Sequence, residues 1–171
     1  MFFKPALSFK NNLFSFICLK YEKIYTNMIP SDHFMKEAIK EAKKAFEEGE
    51  VPVGAVIVAN NTIIAKAHNQ VEILKDPTAH AEMIAITSAT NYLGAKYLED
   101  CTIYVTLEPC PMCASALNWA KIGKIVYAAE DEKNGFMRFG TKMLHPKTKI
   151  DFGMMNTESI SLIQEFFREK R

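Results

Sequence analysis

The chain has 171 residues, 49% of them hydrophobic, and a formal charge of +1. That length and apolar content suit one domain with its own core. Residues 1–31 carry four lysines and one glutamate, leaving 17 basic against 19 acidic side chains, a formal charge of −2. Binding nucleic acid through net charge alone is thereby excluded, and any RNA contact must come from a local patch.

The first 27 residues scatter Phe2, Phe3, Phe9, Phe14 and Phe16 among lysines and asparagines. The apolar run at 13–19 is too short to cross a bilayer, which takes roughly 20 residues. Residues 1–30 are expected to be a disordered extension, with Met28 as an alternative first residue. A weak targeting segment is the second choice, because no acid precedes Glu22 but no small-residue cleavage site follows. No other stretch reads as a membrane span.

The domain proper, 31–171, opens with a helix at about 32–48. Ser31 or Asp32 can cap it. Phe34, Met35, Ala38, Ile39, Ala42, Ala45 and Phe46 form its apolar stripe, lysines and glutamates its other side, and Gly49 stops it. A strand follows at 53–58, a turn at Asn60-Asn61, and a returning strand at 62–67. Polar residues lead to Asp76-Pro77. A second helix is expected at 78–90, capped by Thr78 and packed down by Met83, Ile84 and Ile86. Residues 101–107 read as a central strand, with Cys101 as buried filler. A third helix at 111–121 has Pro111 at its first position, where the missing amide costs nothing. A strand at 125–129, a long polar loop at 130–148, a short strand at 149–152 and a helix at 157–169 complete the order. In that last helix Ile160, Ile163, Phe166 and Phe167 are expected inward. The fold class is α/β, a three-layer α/β/α arrangement around a five-stranded mixed sheet.

Two stretches carry the chemistry. Cys110 and Cys113 are three apart at a helix start, which puts them on one side of a first turn where the helix dipole favours thiolate. His80 lies near the start of the preceding helix. Two sulfurs and one imidazole leave a tetrahedral zinc ion one position for water, the pattern of a catalytic site. A structural site would show a fourth protein ligand, and His33, His68 and His145 have no persuasive spacing for it. A redox pair at 110 and 113 would leave His80 and Glu82 without work. Glu82, two residues beyond His80, can reach the water without binding the ion. It would take the water proton, protonate a ring nitrogen and then protonate the departing amine. The set points to hydrolytic deamination of a nucleobase, with one Zn2+ per subunit. A metal-stabilised binding module, which would not depend on Glu82, is the alternative from another class.

The residues His80-Ala81-Glu82 with Pro109-Cys110-Pro111-Met112-Cys113 resemble the signature of the zinc-dependent cytidine/deoxycytidylate deaminase superfamily. The runs 50–56, 76–82 and 104–110 further resemble bacterial tRNA-specific adenosine deaminases. That resemblance implies a cytidine-deaminase-like fold, a homodimer, and conversion of the wobble adenosine of a tRNA anticodon loop to inosine. It implies that Asn69 hydrogen-bonds the flipped base, that Val53 and Leu107 form apolar pocket wall, and that Asp131 belongs to a loop touching the nucleotide sugar. Phe167, Arg168 and Arg171 match a terminal helix that flanks the RNA. Read alone, Asn69 is an amide suited to a purine edge, Phe167 is core, and Arg168, Lys170 and Arg171 are a basic cluster on a solvated tail. Glu130 departs from the pattern, since tRNA enzymes usually carry arginine there. The residues 111–113, Trp119-Ala120 and 127–129 also resemble guanine deaminases of the same superfamily, so a free purine base is the alternative substrate. Phe136, Phe139 and Met143 in the long loop are expected at a dimer contact, a lid or the core. The expected location is the cytoplasm, with organellar targeting by the first residues as the alternative.

Overall fold

Five strands form one mixed sheet in the order β2-β1-β3-β4-β5 in the computed structural model, which describes residues 31–171. The expectations for residues 1–30 lie outside the described residues. Antiparallel β1 (Gly54–Ala59) and β2 (Thr62–His68) are joined by Asn60 and Asn61, both with positive φ, as a tight two-residue hairpin requires. β3 (Cys101–Leu107) lies antiparallel to β1 and parallel to β4 (Lys124–Ala129), which is parallel to β5 (Lys149–Phe152).

Alternating side chains send the sheet's two faces to two cores. Ala55, Ile57, Ile103, Val105, Ile125 and Tyr127 face one core with the alanines of a helix at 81–93. Val56, Val58, Tyr104, Val126 and Ala128 face the other, with Phe34, Met35 and Ala38. Those three belong to α1 (Ser31–Glu47), whose buried stripe follows the expected period. Helices thus cover both faces, as the three-layer reading requires.

Gly54 marks the closest approach of α1 to the sheet. A Cβ there would overlap the carbonyl oxygen of Ala38 and the amide nitrogen of Ala42, both backbone atoms of α1. Backbone cannot step aside as a side-chain tip can, so Gly54→Ala is expected to cost about 3 kcal/mol of stability in denaturant unfolding. A loss below about 0.5 kcal/mol would show that helix and strand separate freely at this point.

Several local expectations are corrected. The polar stretch after β2 contains a short helix, α2 (Val71–Leu74). The second long helix, α3 (Ala81–Leu93), begins three residues later than expected. Thr78 does not cap it. Its amide and hydroxyl both bond the Asp76 carboxylate at 2.8 and 2.7 Å, closing a turn before the helix. Ala81, Ala85 and Ala89, not the larger Met83, Ile84 and Ile86, form the fully buried face of α3. Small residues let the helix lie close on the sheet, and the larger ones pack along its flanks. α4 (Pro111–Trp119) has Pro111 at its first turn as expected.

In the last helix, α5 (Asn156–Glu169), Ser159 and Phe166 are the residues that turn inward. The Ser159 hydroxyl donates to the Thr106 carbonyl, which fixes that rotation. Ile160 and Phe167 are consequently exposed, contrary to expectation, and Ile163 is half-buried. The loop after β4 carries two short 3-10 turns, Phe136–Phe139 and Thr141–Met143. Phe136 is fully buried in the core, Met143 packs against it in part, and Phe139 stays exposed. Among the described residues no helix is long and apolar enough to cross a membrane.

Candidate active site

The topology gathers one end of the sheet. β1 starts where its antiparallel neighbours β2 and β3 finish, and β4 finishes beside β3. Residues just outside these ends therefore meet: Glu50 and Val53 before β1, Asn69 after β2, Glu108 and Cys110 after β3, and Asp131 after β4. The backbone ties them, with Asn69 N donating to Val53 O at 3.0 Å and Glu108 N to Ala129 O at 2.7 Å.

His80 and Cys110 occupy the cap positions of α3 and α4, and neither caps its helix through its side chain. Such positions usually take serine, threonine, aspartate or asparagine. Both helices forgo that stabilisation, and the two side chains turn toward each other instead. His80 Nδ1 lies 3.7 Å from Cys110 Sγ and 3.5 Å from Cys113 Sγ. The three donor atoms fall within 4.8 Å of one another. A tetrahedral zinc ion with bonds of about 2.3 Å to sulfur and 2.0 Å to nitrogen places such donors roughly 3.5 Å apart, so the cluster fits the ion. His33, His68 and His145 stand elsewhere. His68 is bound by Glu41 and Glu48, His33 lies edge-on to Phe34, and His145 accepts from the Lys147 amide.

The electrostatics of the three donors agree with a ligand set. Hydrogen bonding from the Cys113 thiol, opposed by burial and helped by His80, pushes Cys110 down to about 4. Cys113, fully buried, is pushed up chiefly by its bond to Cys110 and by burial. Its bond to the Cys110 sulfur raises the His80 imidazole. Two neighbouring sulfurs share one proton, which a divalent cation would displace. Glu82 is 4% exposed. Burial raises its carboxyl, while its own backbone amide and the His80 charge pull the other way.

A cavity of about 770 Å³ opens over this cluster. Val53, Asn69, His80, Glu82, Leu107, Cys110 and Asp131 all line it, so most of the sequence-derived site meets in one place. Phe167 and Arg171 line a second cavity of about 910 Å³, which shares Leu107 and Asp131 with the first. Arg168 lines neither, and its guanidinium stands 4.0 Å from Glu165 on the same helix face. Lys170, not Arg168, reaches the first cavity, its ammonium 5.3 Å above the Phe166 ring.

Sequence reasoning missed two buried acids. Glu108 accepts from the amides of Asp131 at 3.0 Å and Met137 at 2.8 Å, and so holds the loop that carries Asp131 against the site. A Cβ on Gly135 would overlap that carboxylate, which explains the glycine. Glu50 is 1% exposed and bonds Asn69. The signal for both was an acid set in an apolar, proline-marked run, a costly place for an unpartnered charge.

Residues 28–129 match the family model described as the cytidine and deoxycytidylate deaminase zinc-binding region. The chain belongs to the cytidine and deoxycytidylate deaminase family. The deaminase is thus a zinc-dependent hydrolase, and His80, Cys110 and Cys113 are its candidate metal site. It is 49% identical over 145 residues to a tRNA-specific adenosine deaminase of Aquifex aeolicus, covering 82% of this chain and 95% of that one. Among solved structures it resembles one from a study of A-to-I editing by tRNA:A34 deaminases at the wobble position, with 39% identity and a TM-score of 0.72 over 76% of this chain and 98% of that one. It also resembles a guanine deaminase of Bacillus subtilis, with 44% identity and a TM-score of 0.57 over 60% of this chain and 66% of that one.

Proposed function

We propose that the deaminase converts the wobble adenosine of a tRNA anticodon loop to inosine, with release of ammonia. The observation that carries this reading is the 49% identity to a tRNA-specific adenosine deaminase across 95% of that protein's length. The cavity and its shared wall with a second cavity support it, because a flipped nucleoside needs a pocket and its flanking nucleotides need an adjoining surface. Phe167 offers that surface a ring and Arg171 a charge. The working form is a homodimer in the cytoplasm.

His80, Cys110 and Cys113 would hold the zinc ion, which would supply a water acidic enough to act at neutral pH. Val53 and Leu107 wall the base and keep bulk water from it. Asn69 fixes its edge through an amide, and Asp131 stands where the sugar leaves the pocket. The Glu82 carboxylate takes a proton from the attacking water and gives it to the ring nitrogen beside the reacting carbon. It then takes the second water proton and delivers it to the exocyclic amine, so that ammonia leaves as the carbonyl forms. Water in, ammonia out and no change of oxidation state balance the step.

The second reading, free guanine as substrate, is favoured by the likeness to a guanine deaminase and by the acids Glu48, Glu50, Glu72, Glu108 and Asp131 around the cavity, which do not invite phosphate. The zinc-loaded protein should therefore be offered an anticodon stem–loop bearing adenosine at the wobble position and, separately, free guanine. Inosine in the RNA is the expected product. Xanthine from guanine with untouched RNA would replace the first reading by the second.

A further inference from the structure

A buried acid lies behind Asn69 that the mechanism does not use. Glu50 sits between α1 and β1, 1% exposed. Its Oε2 accepts from Asn69 Nδ2 at 3.0 Å, and its Oε1 accepts from the amides of Glu72 at 2.7 Å and Ile73 at 2.9 Å. Three donors on one carboxylate account for its burial. They also join three separate pieces of the cavity wall: the chain before β1, the chain after β2, and the start of α2.

We propose that Glu50 is a positioning residue that decides which base edge Asn69 reads. The proposal rests on the reading that Asn69 faces the base. A carboxylate has no hydrogen to give, so Asn69 must turn its Nδ2 toward Glu50. The amide cannot then flip. Among the described residues no other side chain bonds Asn69, so its Oδ1 and its second Nδ2 hydrogen remain for the cavity that it lines. An acceptor beside a donor matches adenine, whose N6–H and N7 present a donor beside an acceptor. Guanine presents O6 and N7, two acceptors, and meets Oδ1 with repulsion. The discrimination between the two purines is thus set one residue behind the contact.

Glu50→Gln tests this with little change of volume. The glutamine Oε1 can keep the amides of Glu72 and Ile73. Its Nε2 then donates where Oε2 accepted, and Asn69 must flip to present Oδ1 to it. The cavity now sees two Nδ2 hydrogens. The expected result on the adenosine stem–loop is a fall in kcat/KM of about tenfold or more, carried by KM. Inhibition by free guanine should tighten relative to free adenine by a similar factor. Zinc content should stay at one per chain. In an Asn69→Ala background the same Glu50 change should alter neither quantity further. An unchanged kcat/KM, or an equal loss in the Asn69→Ala background, would overturn the proposal and leave Glu50 a purely structural anchor.

Should Glu50→Gln not fold, the parent protein decides. Its Asn69 side-chain amide protons, assigned in NMR spectra by their loss in Asn69→Ala, are expected to exchange far more slowly than those of the exposed Asn156. Equal exchange rates would overturn the proposal. The parent's turnover of the stem–loop judges the tRNA reading separately, since the amide exchange and the purine inhibition ratio do not depend on RNA.

Discussion

Glu82→Gln is expected to keep one zinc per chain and to lose at least about 10³-fold in kcat, measured as ammonia release. The substitution keeps the side chain's length and volume, so it removes the proton carrier and little else. A merely structural Glu82 would behave in the opposite way. Burial raises its carboxyl, which means folding makes ionisation harder. For an acid whose folded value is raised, the ionised group opposes the metal-free fold increasingly as pH rises through the ordinary carboxylate range, and the strain is absent below it. An amide carries no such penalty at neutral pH. The metal-free variant should therefore melt no lower than the metal-free parent, while its activity collapses. Activity falling as stability holds is the mark of a group kept for chemistry. Wild-type turnover by the zinc-loaded variant would remove Glu82 from the mechanism.

The sequence showed the sheet and the metal cluster because each leaves a pattern in residue type. The strand at 53–58 was legible as an apolar run, and the structure sends Ala55 and Ile57 to one core and Val56 and Val58 to the other. Cys110 and Cys113 declared themselves by spacing at a proline-marked helix start. What stayed illegible was rotation and long-range pairing. Phe167 is as apolar as Phe166, and periodicity alone could not choose between them. The choice is made by Ser159, two turns earlier on the same face as Phe166, through its bond to Thr106 in β3. Thr78 has the chemistry of a helix cap, but Asp76 two residues earlier binds it first. Glu50 and Glu108 stand 19 to 29 residues from the groups they hold, yet nothing in their local runs names Asn69 or the loop at 131–137 as partners. Those contacts depend on which strand ends lie side by side, which is a property of the sheet order.

Cys113→Ser should abolish zinc binding and, with it, all detectable turnover. The two sulfurs are not equivalent. Cys110 is half-buried on the cavity wall, whereas Cys113 is fully buried beneath it and touches His80, Cys110 and Glu82. A hydroxyl at 113 is shorter, and it ionises far less readily than a thiol, so it cannot supply the thiolate that zinc takes. Solvent cannot easily replace it in a position with no exposure. The consequence is also readable without an activity assay. A ligand bound only by the folded state stabilises it by about 2.7 kcal/mol when its free concentration is a hundredfold above Kd. Chelation should accordingly lower the melting temperature of the parent by several degrees and leave Cys113→Ser unmoved. Because the His80 imidazole and the Cys113 thiol must shed protons to bind, and protons compete for the Cys110 sulfur as well, the parent's zinc affinity should weaken as pH falls, and the variant should show no such dependence. A Cys113→Ser protein that bound one zinc as tightly as the parent would show that the ion is held by some other set of side chains, and the deaminase chemistry would have to be rebuilt around that set.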